Sequence, residues 1–230
     1  MSRRAHISQK IAFSLLFLST VFVVIPVVAI LVFIVKNGVG AISWEFLTSY
    51  PRAGMKQGGI FPAIVGTFYL VFGAIAVSLP IGVLAAIYLN EYAKDTLLTR
   101  TIKLAIVNLA GVPSVVYGLF GLGLFVVFLK FGTSIVAGSL TLAIMGLPVI
   151  ITTSKEALSS VPKQFREVSL SLGATRWQTV RHVVLPNAIS GILTGAILSI
   201  ARAAGEAAPI LFTVAAFYLP KLPRSVFDQA

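Results

Sequence analysis

The chain has 230 residues, 57% of them hydrophobic and only 11% charged, with a formal net charge of +11 and a mean hydropathy of +0.98. A soluble domain carries about 25% charged residues, so this chain lacks the polar surface to stay in water and reads as an integral protein of a lipid bilayer. There is no cysteine, which excludes a disulfide framework or a thiolate metal site; in a membrane protein the position of each Lys and Arg matters more than their sum, and no nucleic-acid partner is expected.

Residues 1–10, MSRRAHISQK, form a basic N-terminus ahead of an apolar run from Ile11 to Val35. That run exceeds the roughly 7–15 apolar residues of a signal peptide and has no small-x-small cleavage site, so it is expected to stay as a first span. Apolar segments at 61–89, 103–129, 135–154 and 187–213 follow, giving five predicted spans in one transmembrane domain over 11–230. None alternates as a barrel strand would, so the fold class is all-α. With the N-terminus in the cytoplasm, eleven Lys and Arg fall on the inner side and six on the outer, a bias that sets this orientation. The 36–60 loop is then external and the 155–186 loop cytoplasmic. In the external loop, Ile42, Trp44, Phe46 and Leu47 beside Glu45 and Thr48 predict a short helix at the membrane surface.

Pro80, Pro113 and Pro148 are expected kinks within spans. Asn108, Ser114 and Tyr117 surround Pro113, and Thr152 and Thr153 end the fourth span. Hydroxyls in membrane helices more often bond their own backbone or a neighbouring helix than a ligand.

The loop KEALSSVPKQFREVSLSLGATRWQTVRHVVLP carries more information. Pro162 suits the first turn of a helix whose face holds Phe165, Val168, Ser169 and Leu172. Gly173 suits a left-handed stop, and Thr175-Arg-Trp-Gln178 reads as a capping box that starts a second helix running to Pro186. The bend between them is a docking knob or an amphipathic connector lying on headgroups, with Trp177 as an apolar anchor.

The fifth span, LSIARAAGEAAPILF over 198–212, holds Arg202 and Glu206 close to mid-membrane. A charge there costs at least about 2.5 kcal/mol and faces a protein interior or a watery path. On a continuous helix, Gly191, Gly195, Arg202, Glu206 and Pro209 share an arc of about 60°. Two readings stand: a path for a charged substrate, or an ion pair that locks two helices.

The loop residues also carry a resemblance. Glu167-Val168-Ser169, three residues, Gly173, nine residues and Val183-Val184-Leu185-Pro186 resemble the pattern EAA-x3-G-x9-I-x-LP of permease subunits of bacterial ABC importers. Val168 and Ser169 replace the two alanines, and Val183 replaces the isoleucine. The resemblance implies a type I ABC-importer helical bundle in which Glu167, Gly173, Ala174, Thr175, Arg176 and Trp177 belong to the segment that couples to an ATPase subunit. No lysine follows a glycine, so the chain has no P-loop. It is expected to be no enzyme and to hold no cofactor, ATP being used by partner subunits.

GGIFPAIVGTFYLV (58–71), PIGVLAAIYLNEYA (80–93), NLAGVPSVVYGLFGLGLFV (108–126) and the stretch 171–213 are similar to phosphate-transport permeases of the PstA type. That similarity implies a heterodimer with a PstC-type permease subunit, two ATP-binding subunits, an external phosphate-binding protein and a place in the bacterial inner membrane. It also implies that Arg202 and Glu206 contribute to the phosphate path, with Asn108, Ser114, Tyr117 and Thr152 as weaker candidates. Two departures stand out: the family usually has six spans, and many relatives have arginine where Thr152 stands. The rival readings are a permease for sulfate or molybdate, a non-transporting assembly subunit, and an intramembrane enzyme. For the last, only His6 and His182 at the membrane edges are on offer, with no GxSxG elbow.

Overall fold

The computed structural model describes residues 3–54, 56–215, 222–223 and 225–229. Lys221 and Arg224, counted above on the outer side, lie outside these residues, as does most of the tail that follows the fifth span. Among the described residues the secondary structure is helical, apart from one isolated bridge between Arg52 and Gln57. The chain divides into two units, 1–61 and 62–230.

The first unit holds α1 (Arg3–Gly38) and the short α2 (Trp44–Thr48). Ile7–Ala41 is long and apolar enough to cross a membrane. Ser43 caps α2 by accepting a hydrogen bond from the Phe46 amide at 3.1 Å. The segment after α2 folds back on it: the Ile60 amide donates to the Phe46 carbonyl at 2.9 Å and the Tyr50 ring meets Phe61 edge-on. The short helix expected in this loop is present.

The second unit begins as α3 (Phe61–Ile87), which continues through a π-helical turn at Tyr88–Tyr92. Next come α4 (Leu97–Ala110) and α5 (Ser114–Gly121), the latter extended by a π segment to Phe128. These two are bent by 101° at Gly111–Pro113, so the third predicted span is a broken one. Proline accounts for the break, since it disfavours helical backbone in the residue before it and cannot donate to the previous turn. Pro80 and Pro148 lie instead inside continuous helices.

The remaining elements correct three boundaries. The fourth span does not stop at 154: α6 runs Ile135–Ser160, because Leu158 still faces the core and is fully buried. Two short helices follow, α7 (Lys163–Ser171) and α8 (Arg176–Thr179). The second does not end at Pro186. It passes through a π turn at Val180–Val184 into α9 (Leu185–Gly205), with Pro186 in the first turn, where its missing N–H is tolerated. The fifth span is not continuous to 213 either. It breaks at Glu206–Ala207 and resumes as α10 (Ala208–Thr213). The ring of Pro209 would press on the carbonyl four residues earlier, on Gly205, so the helix stops there and restarts with Pro209 in its first turn.

α6 and α9 run antiparallel in close contact. Gly191 sits over Ala157, Gly195 against Thr153, and Gly146 against Ser199. Small residues let two membrane helices approach in this way, where lipid offers no hydrophobic drive for association. Two apolar clusters flank the seam. One gathers Leu70, Ala74, Tyr117, Leu142, Met145 and Val214; the other, at the end bearing α7 and α8, gathers Ala86, Ile87, Leu158, Val161, Val184 and Ala188.

A side chain on Gly195 would collide with Thr153. Gly195→Leu is therefore expected to destabilise the bundle by about 1–3 kcal/mol, the usual range for overpacking, read as a lower melting temperature in detergent. Ile197→Leu, at a nearby exposed position, is expected to leave it unchanged.

Candidate functional site

The two helix breaks come together. Gly118 of α5 packs on the backbone of Ala208 and Pro209 and on the Phe212 ring in α10. Next to it the buried Tyr117 donates its hydroxyl to the Leu109 carbonyl at 2.9 Å, satisfying one of the last carbonyls of α4 across the break. Val112 and Ile210 pack on the same cluster as Tyr117. Irregular backbone within a membrane is tolerated where protein surrounds it or where it lines a cavity, and paired interruptions of this kind are where transporters bind ions and substrates.

Arg202 lies on the last turn of α9 and Glu206 immediately beyond it, at the C-cap. Arg202 Nε donates to Glu206 Oε1 at 3.4 Å, long for a charge-assisted hydrogen bond of about 2.7–2.9 Å. Among the described residues neither side chain makes any other hydrogen bond. The Arg202 side chain is 33% exposed and that of Glu206 15%. Both Nη atoms of Arg202 and Oε2 of Glu206 are thus without a protein partner. Arg202 is also within electrostatic reach of Tyr117. Because the helix ends at Gly205, the 60° arc holds for Gly191, Gly195 and Arg202 but does not extend to Glu206 and Pro209.

The other candidates are distributed as follows. Ser114 is half-buried at the start of α5, and Asn108 is exposed near the end of α4, where its backbone carbonyl accepts from Gly111. Thr152 donates to the Pro148 carbonyl at 2.8 Å, its own backbone one turn earlier. From the contacts along α6 and α9, Arg202 stands level with residue 143, so Thr152 is displaced by about 13 Å along the helix at 1.5 Å of rise per residue. Thr152 lines a separate cavity of about 50 Å³ with Leu89, Lys103, Ile106, Val107, Ile151 and Lys155. Of these candidates, Tyr117 lies within electrostatic reach of Arg202, and Thr152 is set apart from the pair.

At the other end, α7 and α8 meet at a bend. Gly173 has φ +85°, the left-handed conformation that ends α7 without strain. The capping box forms: the Gln178 amide donates to Thr175 Oγ1 at 3.3 Å and the Thr175 amide to Gln178 Oε1 at 2.8 Å. Phe165, Val168 and Leu172 face outward, Leu172 being 83% exposed, and Trp177 is 52% exposed. Ser169, read on the same face as these, turns inward instead and pairs with Thr179 Oγ1 at 2.9 Å. Glu167, Arg176 and Thr175 are exposed and Ala174 is half-buried. α7 thus exposes Phe165 and Val168 alongside Lys163, Gln164 and Glu167, and turns only Arg166 and Ser169 inward.

A charged pair that the sequence reading passed over holds this segment. Arg166 of α7 grips Glu91, at the end of α3, through Nη2 at 2.7 Å and Nε at 3.1 Å. Its remaining donors reach the Val161 and Leu158 carbonyls, both at 2.8 Å, at the C-terminal end of α6. Asn90 donates to Glu91 Oε1 at 2.8 Å and accepts from Ser159 at 2.7 Å. The Arg166 and Glu91 side chains are 18% and 11% exposed. The available signal was the lone carboxylate of AAIYLNEYA, standing where an apolar run meets the interface.

Residues 78–225 match the family model described as binding-protein-dependent transport system inner membrane component. The chain is 38% identical over 207 residues to the probable ABC transporter permease protein YqgI of Bacillus subtilis, covering 90% of this chain and 70% of the relative. It is 36% identical over 208 residues to the phosphate transport system permease protein PstA of Pasteurella multocida, covering 90% and 74%. An inward-facing structure of the MetNI methionine ABC transporter superposes with a TM-score of 0.53 at 24% identity, over 64% of this chain and 68% of that one. That likeness speaks to the fold.

Breaking a buried pair from one side leaves a charge uncompensated. Arg166→Met is expected to lower stability by about 3–5 kcal/mol. The double variant with Glu91→Leu should lose less than the sum of the two single losses, a coupling that a double-mutant cycle of detergent unfolding measures.

Proposed function

The chain belongs to the binding-protein-dependent transport system inner membrane components, and from that membership we propose that it passes inorganic phosphate into the cytoplasm, driven by separate ATP-hydrolysing subunits. As a permease of this family it is a component of an ABC transporter in the membrane. The substrate follows from relatives named as phosphate transport permeases and from the chemistry at the helix breaks. The observation that carries it is Arg202: a half-buried guanidinium at a double helix interruption, with both Nη atoms without a partner among the described residues.

A planar fork with free donors matches two oxygens of a tetrahedral oxyanion. Beside it, the free oxygen of Glu206 accepts a hydrogen bond from the hydroxyl that phosphate retains at neutral pH. Sulfate has no such hydrogen, so the same carboxylate repels it. In this scheme Tyr117 ties α4 to α5 and fixes the wall of the path, while its hydroxyl is engaged with Leu109. Thr152 and its two neighbouring lysines stand toward the end of the bundle that bears α7.

The remaining assignments belong to the same reading. The N-terminus and the 155–186 segment are cytoplasmic, and the outward apolar face of Phe165, Val168, Leu172 and Trp177 docks on one of two ATPase subunits. A second permease subunit of the PstC type completes the channel, and an external phosphate-binding protein delivers the cargo. ATP binding by the partners then shifts the bundle between outward- and inward-facing states.

The test is phosphate uptake in cells lacking their own high-affinity importer and supplied with the partner subunits. Wild type is expected to restore uptake, and Arg202→Gln to assemble at normal levels yet lose at least about tenfold in rate, a loss of about 1.4 kcal/mol in transition-state stabilisation. Unchanged uptake in that variant would make the pair scaffolding. Glu206→Gln is expected to admit sulfate alongside phosphate, measured by competition between the two labelled anions; retained selectivity would remove Glu206 from that role.

A further inference from the structure

Helix α7 has no buried residue, so apolar packing does not fasten it to the bundle. Two polar attachments do so among the described residues. Ser169 ties it to Thr179 on the following helix, and Arg166 ties it to the ends of α3 and α6. Phe165, Val168 and Leu172 are exposed and take part in neither attachment. Any force applied to these residues reaches the rest of the bundle through these two points and through the chain itself.

The Arg166 attachment is nearly saturated. Five contacts from its guanidinium go to protein oxygens at the ends of two other helices, and Glu91 is itself fixed by Asn90, which is fixed by Ser159. The Leu158 and Val161 carbonyls belong to the negative end of the α6 dipole, where a cation is favoured. Glu167 lines the same cavity, yet a switch of the guanidinium towards it would break all of these contacts at once. The network is built to stay closed.

We propose that the Glu91–Arg166 clamp makes α7 and the end of α3 a single rigid body, so that movement imposed on the docking segment is delivered to α3 rather than absorbed at the hinge before Lys163. This rests on the permease reading above and adds the residues that carry the stroke. Glu91 and Arg166 are positioning residues: neither touches the cargo. Without the clamp, α7 would pivot about the extended Val161–Pro162 link, and ATP would be hydrolysed with little transport.

The experiment uses the complete transporter in lipid nanodiscs. Because the chain has no cysteine, spin labels at Leu84→Cys on α3 and Gln164→Cys on α7, both exposed positions outside the apolar docking face, are unique within it. In the wild-type background the distance between labels is expected to stay the same in nucleotide-free and ATP-bound states. A shift of about one helical turn, roughly 5 Å, between those states would overturn the proposal. In Glu91→Gln the distance distribution should broaden and the phosphate moved per ATP should fall about tenfold, within the range usual for coupling between sites. Arg166→Lys should do the same, since an ammonium cannot hold two carboxylate oxygens and two carbonyls at once. An unchanged distribution together with an unchanged ratio in both variants would also overturn it. If wild type hydrolyses ATP with rigid labels but moves no phosphate, the cargo assignment falls and the clamp stands.

Discussion

The guanidinium of Arg166 is the constraint on which the loop end of the bundle depends. Three chain segments stop or turn there: α3 at Tyr92, α6 at Ser160, and the extended link into α7. Helix ends leave carbonyls without partners, and a carboxylate near the membrane interface needs a counter-charge. One side chain answers both needs. Desolvating an ion pair gains little stability by itself, so the value of this arrangement lies in the geometry that it enforces. It fixes where α7 leaves the body, and Gly173 with the Thr175–Gln178 box then fixes where the chain turns back.

From that end the order passes along α9. Counted with α8 and the π turn, the helix starts at Arg176 after the Gly173 bend and runs without interruption to Gly205, so one rod links the exposed Trp177 to Arg202. Its close seam with α6, made by Gly191, Gly195 and Gly146, keeps the rod in register. About 26 residues at 1.5 Å of rise separate Arg176 from Arg202, a span of about 39 Å. Membership of the bundle and proximity to the helix breaks are thus settled by the same helix.

The features legible in the sequence were those decided within a few residues. The left-handed stop at Gly173 and the capping box depend on neighbours at most three positions away, and both formed as read. The apolar stretches likewise announced their helices, because membrane thickness sets a length that composition reveals. The end of α9 was missed although its cause is local: Pro209 acts on Gly205, but the apolar character of the segment runs on and masks the break. The extension of α6 to Ser160 depends on Leu158 finding a buried place between other helices, which the polar residues around it conceal. The Glu91–Arg166 pair joins residues 75 positions apart, and its one local trace, the carboxylate at the end of an apolar run, does not say which cation it meets. The inward turn of Ser169 was invisible for a related reason: a wheel shows which residues share a face, and tertiary contacts decide where that face points.

Among the described residues there are therefore two arginine–glutamate pairs with opposite states of completion. Arg166 offers Nε and both Nη nitrogens to protein acceptors at 2.7–3.3 Å and is largely enclosed. Arg202 offers a single nitrogen at 3.4 Å and remains more exposed, in a part of the bundle where a charge is expensive to keep. A pair serving only to lock helices would be expected to look like the first, since each unmade hydrogen bond of a charged group at that depth is a cost without return. The incomplete pair is reasonable if its open donors are filled by something that comes and goes. An anion does this, and the helix break leaves Glu206 at the C-cap beside Arg202, with its Oε2 unpartnered among the described residues. Completion at the loop end and incompletion at the breaks are what a machine needs if force is to enter rigidly at one place and cargo is to bind reversibly at another.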